Sequence, residues 1–111
     1  MDALQHMQKS LAELLILSCI REEASFSYYI SKRIQERSEG AIRISAGCII
    51  PYLHRLLDNG QIRVAAKVIN GKVRDCYEIT SSGKLLLLEL SNAYVDTHRA
   101  LLVFCKNNKM V

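Results

Sequence analysis

The chain has 111 residues, half of them hydrophobic, with four cysteines and a formal net charge of +4. This length predicts one domain, with room for an appendage, and no apolar run approaches the ~18 residues that a membrane span needs. The first ten residues are polar and mixed in charge, unlike a signal peptide, so we expect a soluble, cytoplasmic protein with no membrane partner.

Positive charge is concentrated in the middle of the chain. Residues 32–74 carry nine basic and three acidic side chains, whereas residues 1–31 carry two basic and four acidic ones. A basic middle suggests a surface that faces a polyanion. A solvated basic face with no partner is the alternative at this stage.

The four cysteines are evenly spread, with no C-x-x-C and no histidine at ligand spacing. We therefore expect no zinc site, no disulfide in a cytosolic chain and no cofactor. Cys19 and Cys76 fall at apolar positions and are expected in the core. For Cys48, a role as a redox-active thiol is an alternative.

Two helices are predicted before residue 40. Ser10 and Glu13 form an S-x-x-E capping box at the start of the first, although a start at Leu4 stays open. Ser25 is the expected cap of the second, which Gly40 ends. The second helix should direct Phe26, Ile30 and Ile34 inward and place basic residues on its other side: Lys32, Arg33 and Arg37.

The stretch from Ala41 to Gly60 predicts a short extended arm and a third helix capped at Ser45. Four apolar residues at i, i+4, i+7 and i+8 define its buried face: Ile49, Leu53, Leu56 and Leu57. Five residues remain on the solvent side: Gly47, Cys48, Pro51, Tyr52 and Arg55. Pro51 in a helix interior costs roughly 3 kcal/mol, and Gly47, four residues earlier, has no Cβ and can absorb a local distortion.

Residues 61–79 predict a β-hairpin, because Asn70-Gly71 is a strong type I′ turn signal. One face is almost wholly apolar: Ile62, Val64, Ala66, Val68, Val73, Asp75, Tyr77 and Ile79. On the other face Lys67 lies opposite Arg74, beside Lys72. Like charges across a strand pair are destabilising, which makes sense if an anion lies between them. We interpret the hairpin as a wing.

Thr80 is expected to cap a last helix that runs to about Asn107, ~40 Å at 1.5 Å per residue. This exceeds the width of such a domain, so part of the helix must project. Its apolar residues form two stripes, of which one needs a partner, and a second copy is the simplest partner. The first stripe comprises Leu86, Leu90, Ala93, Tyr94, Leu101 and Phe104, and the second Leu85, Leu88, Val95 and Leu102.

This order of elements describes a mainly α winged helix-turn-helix with a small β-hairpin and a long C-terminal dimerisation helix. The chain also resembles the PadR-like transcriptional regulators over roughly residues 11–104. The residues that carry the resemblance are Leu14-Leu15-Ile16-Leu17, Tyr28-x-Ile30, Ser45-x-Gly47-Cys48-Ile49-Ile50-Pro51-x-Leu53-x-Arg55-Leu56 and Tyr77-x-Ile79-Thr80-x-x-Gly83. The chain departs from the family pattern where Cys48 replaces threonine, Ile50 replaces tyrosine and Phe26-Ser27 replaces His-Gly.

The resemblance implies a homodimeric, sequence-specific DNA-binding regulator, a repressor, with residues 1–79 on the DNA and residues 80–111 in the dimer. The candidate DNA contacts are Ser45, Gly47, Cys48, Tyr52, Arg55, Lys32, Arg33, Lys67, Lys72 and Arg74. The implied dimer contacts are Leu86, Leu90, Tyr94, Leu101 and Phe104. The resemblance also implies a small hydrophobic or aromatic effector, because some relatives bind flat aromatic or cationic drugs between their last helices, which here would involve Tyr94, Ala93 and Leu90.

Two other functions are alternatives to DNA binding. A winged helix can serve as a protein–protein interaction module, and the basic strip argues against that reading. An enzyme is not expected, because His6, His54 and His98 lie on different elements with no nucleophile or carboxylate pair beside them.

Overall fold

The computed structural model describes Ala3, Met7 and residues 10–110. In this part of the chain, the fold comprises four helices and one two-stranded antiparallel sheet. The elements are α1 (Ala12–Glu22), α2 (Ser27–Arg37), α3 (Ala46–Asp58), β1 (Ile62–Ile69), β2 (Lys72–Ile79) and α4 (Ser81–Asn107). The predicted order and the mainly α fold class are confirmed, whereas the start at Leu4 lies outside the described residues.

The core is aliphatic and is built mainly by the first three helices. Its fully buried large side chains include Ile16, Leu17, Ile30, Ile49, Leu53, Leu56 and Ile62. Each such side chain contributes roughly 1.5–3 kcal/mol by leaving water. The predicted buried face of α3 is confirmed, with Leu57 half-buried at its margin.

Two predicted helix caps are wrong. Ser10 donates its hydroxyl hydrogen to the Met7 carbonyl at 2.7 Å, and Leu11 occupies the N-cap of α1 without a side-chain bond. Ser25 lies before the start of α2, with Phe26 at the N-cap. Ser25 is buried instead beside the sheet, where its backbone exchanges hydrogen bonds of 3.1 and 2.8 Å with Tyr77.

The hairpin has the predicted register, from Ile62 opposite Ile79 to Ile69 opposite Lys72. Asn70 and Gly71 both have positive φ, as a type I′ turn requires. Its apolar face is nevertheless open towards the tip: the side chains of Val64, Val68 and Val73 are 47%, 71% and 72% exposed. The other face is the buried one at mid-strand, since Cys76 is fully buried and β2 contacts α1.

The last helix begins where predicted. The Thr80 hydroxyl accepts the Gly83 backbone N–H at 3.1 Å and donates to the Gly60 carbonyl at 2.7 Å. A Cβ at Gly83 would lie 2.0 Å from the Gln61 carbonyl oxygen, so only glycine fits here. The start of α4 is therefore packed directly against the turn that follows α3.

Beyond its first turns α4 leaves the core. Leu87 is buried and Leu86 and Leu90 are half-buried, but from residue 92 onwards nearly every described side chain is exposed. The described residues extend over 55 × 27 × 21 Å, so the helix projects as expected. None of the helices described is both long and apolar enough to cross a membrane.

Candidate nucleic-acid interface

The outer face of α3 is the first part of the candidate site. Ser45 caps the helix, accepting the Cys48 backbone N–H at 3.2 Å. Gly47, Cys48 and Pro51 are exposed beside it, as the apolar spacing predicts. The helix therefore presents a low, weakly polar surface at its N-terminal end.

Gly47 has no role in packing within the described chain. A Cβ at this position would have no atom within 4 Å, and the φ angle is not in the left-handed region. The ring of Pro51 therefore does not exclude a side chain here, contrary to our reading of Gly47 as the residue that accommodates Pro51. The missing side chain leaves the α3 backbone open to close approach at this residue.

Arg55 is the cation of this face, but it has a partner on α1. Its Nη1 lies 3.1 Å from Oε1 of Glu13, and its guanidinium lies 5.2 Å from the ring centroid of Tyr52. Tyr52 is half-buried and packs against the core, so it is less available than predicted. Glu13 therefore competes with any other anion that approaches Arg55.

The cations of α2 are divided between the core and the surface. Arg33 donates to the Cys19 carbonyl at 3.0 Å and lies 3.6 Å from Glu23. Arg37 pairs with Glu22. Lys32 is exposed. The structure thus uses two of these three side chains to hold α2 against the end of α1.

On the wing, the two like charges that face each other are each accommodated within the chain. Lys67 donates to the Ala24 carbonyl at 3.2 Å and lies 3.9 Å from Glu23. The guanidinium of Arg74 lies 5.3 Å from the ring centroid of Phe26. Each cation thus already has a contact within the chain, and an anion between the two stays a prediction.

Cations without a carboxylate partner are fewer than the composition suggests. Five of the nine basic side chains in residues 32–74 form ion pairs, including Arg63 with Glu78 at the base of the wing. Among the residues described, four have no such pair: Lys32, Arg43, Lys72 and Arg74. The two on the wing, Lys72 and Arg74, lie on one strand.

The structure places the cysteines as predicted for the core. Cys19 and Cys76 are buried, and burial raises the pKa of each thiol above its ordinary value. Cys48 is exposed at the start of α3. Within the described ranges, no group of histidine, cysteine and acidic side chains could hold a metal ion.

The residues proposed for an effector line two neighbouring grooves along α4. The larger, about 430 Å³, is mainly apolar and is bordered by Met7, Leu11, Ile42, Tyr94 and His98, among others. The Tyr94 and His98 rings stack with centroids 5.8 Å apart. Tyr94 also borders a groove of about 200 Å³, where it is joined by Leu90 and Ala93.

An aromatic cluster beside the wing was missed from the sequence. At the start of α2 the rings of Phe26 and Tyr28 each contact the ring of Tyr29, and Arg74 lies over Phe26. The available signal was three aromatic residues within four positions in a chain that has only five tyrosines and two phenylalanines.

Known proteins similar to this chain are transcriptional regulators. The sequence profile described as the transcriptional regulator PadR-like family matches residues 16–89. The transcriptional regulator Rv3488 of Mycobacterium tuberculosis is 34% identical over 68 residues, which is 61% of this chain and 64% of that protein. The match thus spans less than two thirds of the relative's length.

Solved structures show the same fold. A PadR-like transcriptional regulator from Bacillus cereus is 26% identical, with a TM-score of 0.78 over 89% of this chain and 95% of that one. PadR of Bacillus subtilis, solved in complex with operator DNA, is 25% identical, with a TM-score of 0.62 over 71% of this chain and 46% of that one. The fold is a winged helix-turn-helix with a long C-terminal helix.

Proposed function

The chain belongs to the PadR-like family of transcriptional regulators, and we propose that it is a homodimeric, sequence-specific DNA-binding repressor. Residues 1–79 would bind DNA and residues 80–111 would form the dimerisation helix. The observation that carries the proposal is the exposed, side-chain-poor start of α3, together with two wing cations that have no carboxylate partner among the described residues. The operator complex of the Bacillus subtilis relative supports it.

In this proposal α3 enters the major groove. Two copies in a dimer would reach half-sites about one helical turn apart. The N-terminal end of α3, at Ser45 and Gly47, would approach the DNA most closely, and a helix N-terminus favours a phosphate. Cys48 and Arg55 would lie behind it, the latter after release from Glu13.

The wing and α2 would supply the contacts to phosphate. Lys72 and Arg74 are the wing cations best placed for this, and Lys32 is the exposed cation of α2. Phosphate contacts position a protein but do not read sequence. Arg33 and Lys67, although predicted as contacts, have partners within the chain, and we assign them to holding α2 and the wing in place.

Relief of repression by a small aromatic effector is the remaining part of the proposal. The apolar groove beside Tyr94 supports it, because its volume falls in the range of small-molecule sites, roughly 300–1,000 Å³. A structure of the dimer in which the second copy fills this groove would rule the effector out and leave DNA binding intact.

A salt titration tests DNA binding. Duplexes selected from random genomic fragments would be titrated by fluorescence anisotropy at several salt concentrations. Each phosphate neutralised contributes about 0.9 to the slope of log K against log salt. The Lys72→Gln/Arg74→Gln variant should therefore lower the slope by roughly 2 per protomer, while Arg63→Gln, a matched wing variant, should leave it unchanged because Arg63 pairs with Glu78.

Two outcomes would contradict this assignment. A slope near zero for the unmodified chain would rule out the proposal of DNA binding. It would favour the alternative, a winged-helix module that binds a protein. If the Arg63→Gln variant lowers the salt slope as much as the double variant does, the wing acts only through its overall charge.

A further inference from the structure

A cleft of about 440 Å³ lies between the first turn of α2 and the tip of the wing. Three aromatic residues and two cations line it, with the wing turn at its edge: Phe26, Tyr28, Tyr29, Lys72, Arg74 and Asn70. It shares no lining residue with the groove beside Tyr94. Its volume falls within the range of small-molecule sites, roughly 300–1,000 Å³.

The aromatic wall of this cleft is formed before any ligand binds. The Phe26 and Tyr29 rings are 4.9 Å apart at 69°, and the Tyr28 and Tyr29 rings are 5.4 Å apart at 64°. Such edge-to-face contacts hold the rings in place, yet Tyr28 remains 58% exposed. The buried core of the described chain contains no aromatic side chain, so the cluster is not an extension of core packing.

The cationic wall comes from one strand. Lys72 and Arg74 are two residues apart on β2, so both side chains leave the same face of the sheet. In the part of the chain that the structure describes, neither has a carboxylate partner, unlike Arg63 and Lys67. Cζ of Arg74 lies 5.3 Å from the Phe26 ring centroid, and a cation–π contact does not use up the N–H donors of a guanidinium.

The start of α2 adds a third contribution. Phe26 occupies the N-cap and has no oxygen with which to cap the first backbone N–H groups of the helix. A helix N-terminus attracts negative charge, and its N–H groups can bind a phosphate directly. A planar ring surface and a pair of cations thus line one cleft, which the uncapped start of α2 borders at Phe26.

We propose that this cleft binds a mononucleotide. The base would lie against Tyr28 and Tyr29, and the phosphate would lie among Lys72, Arg74 and the first turn of α2. A phosphate dianion matches two neighbouring cations. Nucleotide binding does not depend on the proposed function. Its effect on DNA binding does rest on that function, because a bound nucleotide would occupy the wing cations that we assign to DNA and would compete with DNA for them.

A ¹H–¹⁵N NMR titration of the full chain with AMP, without DNA, tests the proposal. Saturable chemical-shift changes are expected for the backbone amides of residues 26–29 and 70–74. Adenosine and ribose 5-phosphate, which each lack one half of the ligand, should bind at least about tenfold more weakly, because stacking and charge are both needed. Tyr28→Ala and Lys72→Gln should weaken AMP binding, and Arg63→Gln, on the same hairpin, should not.

Absence of AMP shifts in the cleft would overturn the proposal. So would ribose 5-phosphate binding as tightly as AMP, or a Tyr28→Ala variant that binds AMP normally, since either result describes an anion patch without base recognition. A duplex that shifts these residues when AMP does not would also overturn it while supporting the proposed function. If the chain binds AMP but no DNA duplex, the nucleotide site is supported and the proposed function is ruled out.

Discussion

Gly47 and Gly83 illustrate two different reasons for a glycine in this chain. A Cβ at Gly83 would overlap the Gln61 carbonyl, whereas a Cβ at Gly47 would meet nothing. Within the described residues, packing explains the glycine at position 83. Packing does not explain the glycine at position 47, and we propose that it allows the DNA backbone to approach α3 closely.

Substitution of each glycine by alanine should therefore have opposite effects on stability. Gly47→Ala should raise the free energy of unfolding by roughly 0.5–1 kcal/mol, because alanine favours the helix, and should weaken DNA binding by about tenfold, ~1.4 kcal/mol. Gly83→Ala should lower the free energy of unfolding by roughly 1–3 kcal/mol through overpacking. Urea denaturation and anisotropy measure the two quantities. A Gly47→Ala variant that binds DNA normally would contradict close approach at this residue.

The pair between Glu13 and Arg55 lets us separate a structural role from a DNA-binding role. Exposed ion pairs contribute roughly 0–1 kcal/mol, so either neutral variant should change stability little. If Arg55 leaves Glu13 to contact DNA, Glu13→Gln should tighten binding and Arg55→Gln should weaken it, each by a few-fold. Anisotropy at fixed salt gives both values.

The control for this pair is Glu89→Gln, which changes the net charge equally at an exposed position on α4. Equal tightening by Glu13→Gln and Glu89→Gln would show a general charge effect. Unchanged affinity in both Glu13→Gln and Arg55→Gln would make Arg55 a structural residue. The sequence could place Arg55 on the outer face of α3 by spacing, but not beside Glu13, 42 residues away.

At the scale of elements, the sequence predicted a turn and a helix cap correctly but did not predict how the hairpin packs on the core. The Asn70-Gly71 turn and the Thr80 cap depend on neighbouring residues, and both are confirmed. Which face of the hairpin packs on the core depends on α1 and on the bridge from Ser25 to Tyr77. Alternation of apolar residues cannot carry that information, so the exposed valines of the wing were not foreseen.

The caps of α1 and α2 failed for a related reason. Ser10 and Ser25 have the residue types that cap helices, but each lies in an environment that offers another hydrogen-bond partner. Ser25 is held by the edge of β2, which moves the start of α2 to Ser27 and leaves Phe26 at the cap. With α2 starting at Ser27, the aromatic residues at its start lie beside the wing and line the cleft.

At the scale of the whole molecule, charge composition overstated the cationic surface. Most of the basic side chains in residues 32–74 pair with carboxylates of the same chain, several of them from the acidic residues 13–23. Net charge by segment could not reveal this, because the partners come from a different segment. What remains is the smaller set of cations that the salt titration addresses.

The second half of α4 projects from the domain and has an apolar surface that the described chain does not bury. Leu86, Leu87 and Leu90 pack on the chain's own core, but the second half of the helix exposes several large apolar side chains. The exposed set is Tyr94, Val95, Leu101, Leu102, Val103 and Phe104. An apolar surface that projects from the domain is costly in water, and a second copy can bury it symmetrically.

Placing a charge in that surface should separate the two copies. Leu101→Glu/Phe104→Glu should convert a dimer into a monomer, because two carboxylates would be buried without partners, and light scattering after gel filtration measures the mass. Asn92→Glu, at an exposed polar position on the same helix, is the matched control and should stay dimeric. Far-ultraviolet circular dichroism checks that both variants fold. If the double variant folds and keeps the mass of the unmodified chain, α4 is not the dimer contact, and the paired recognition helices proposed above lose their basis.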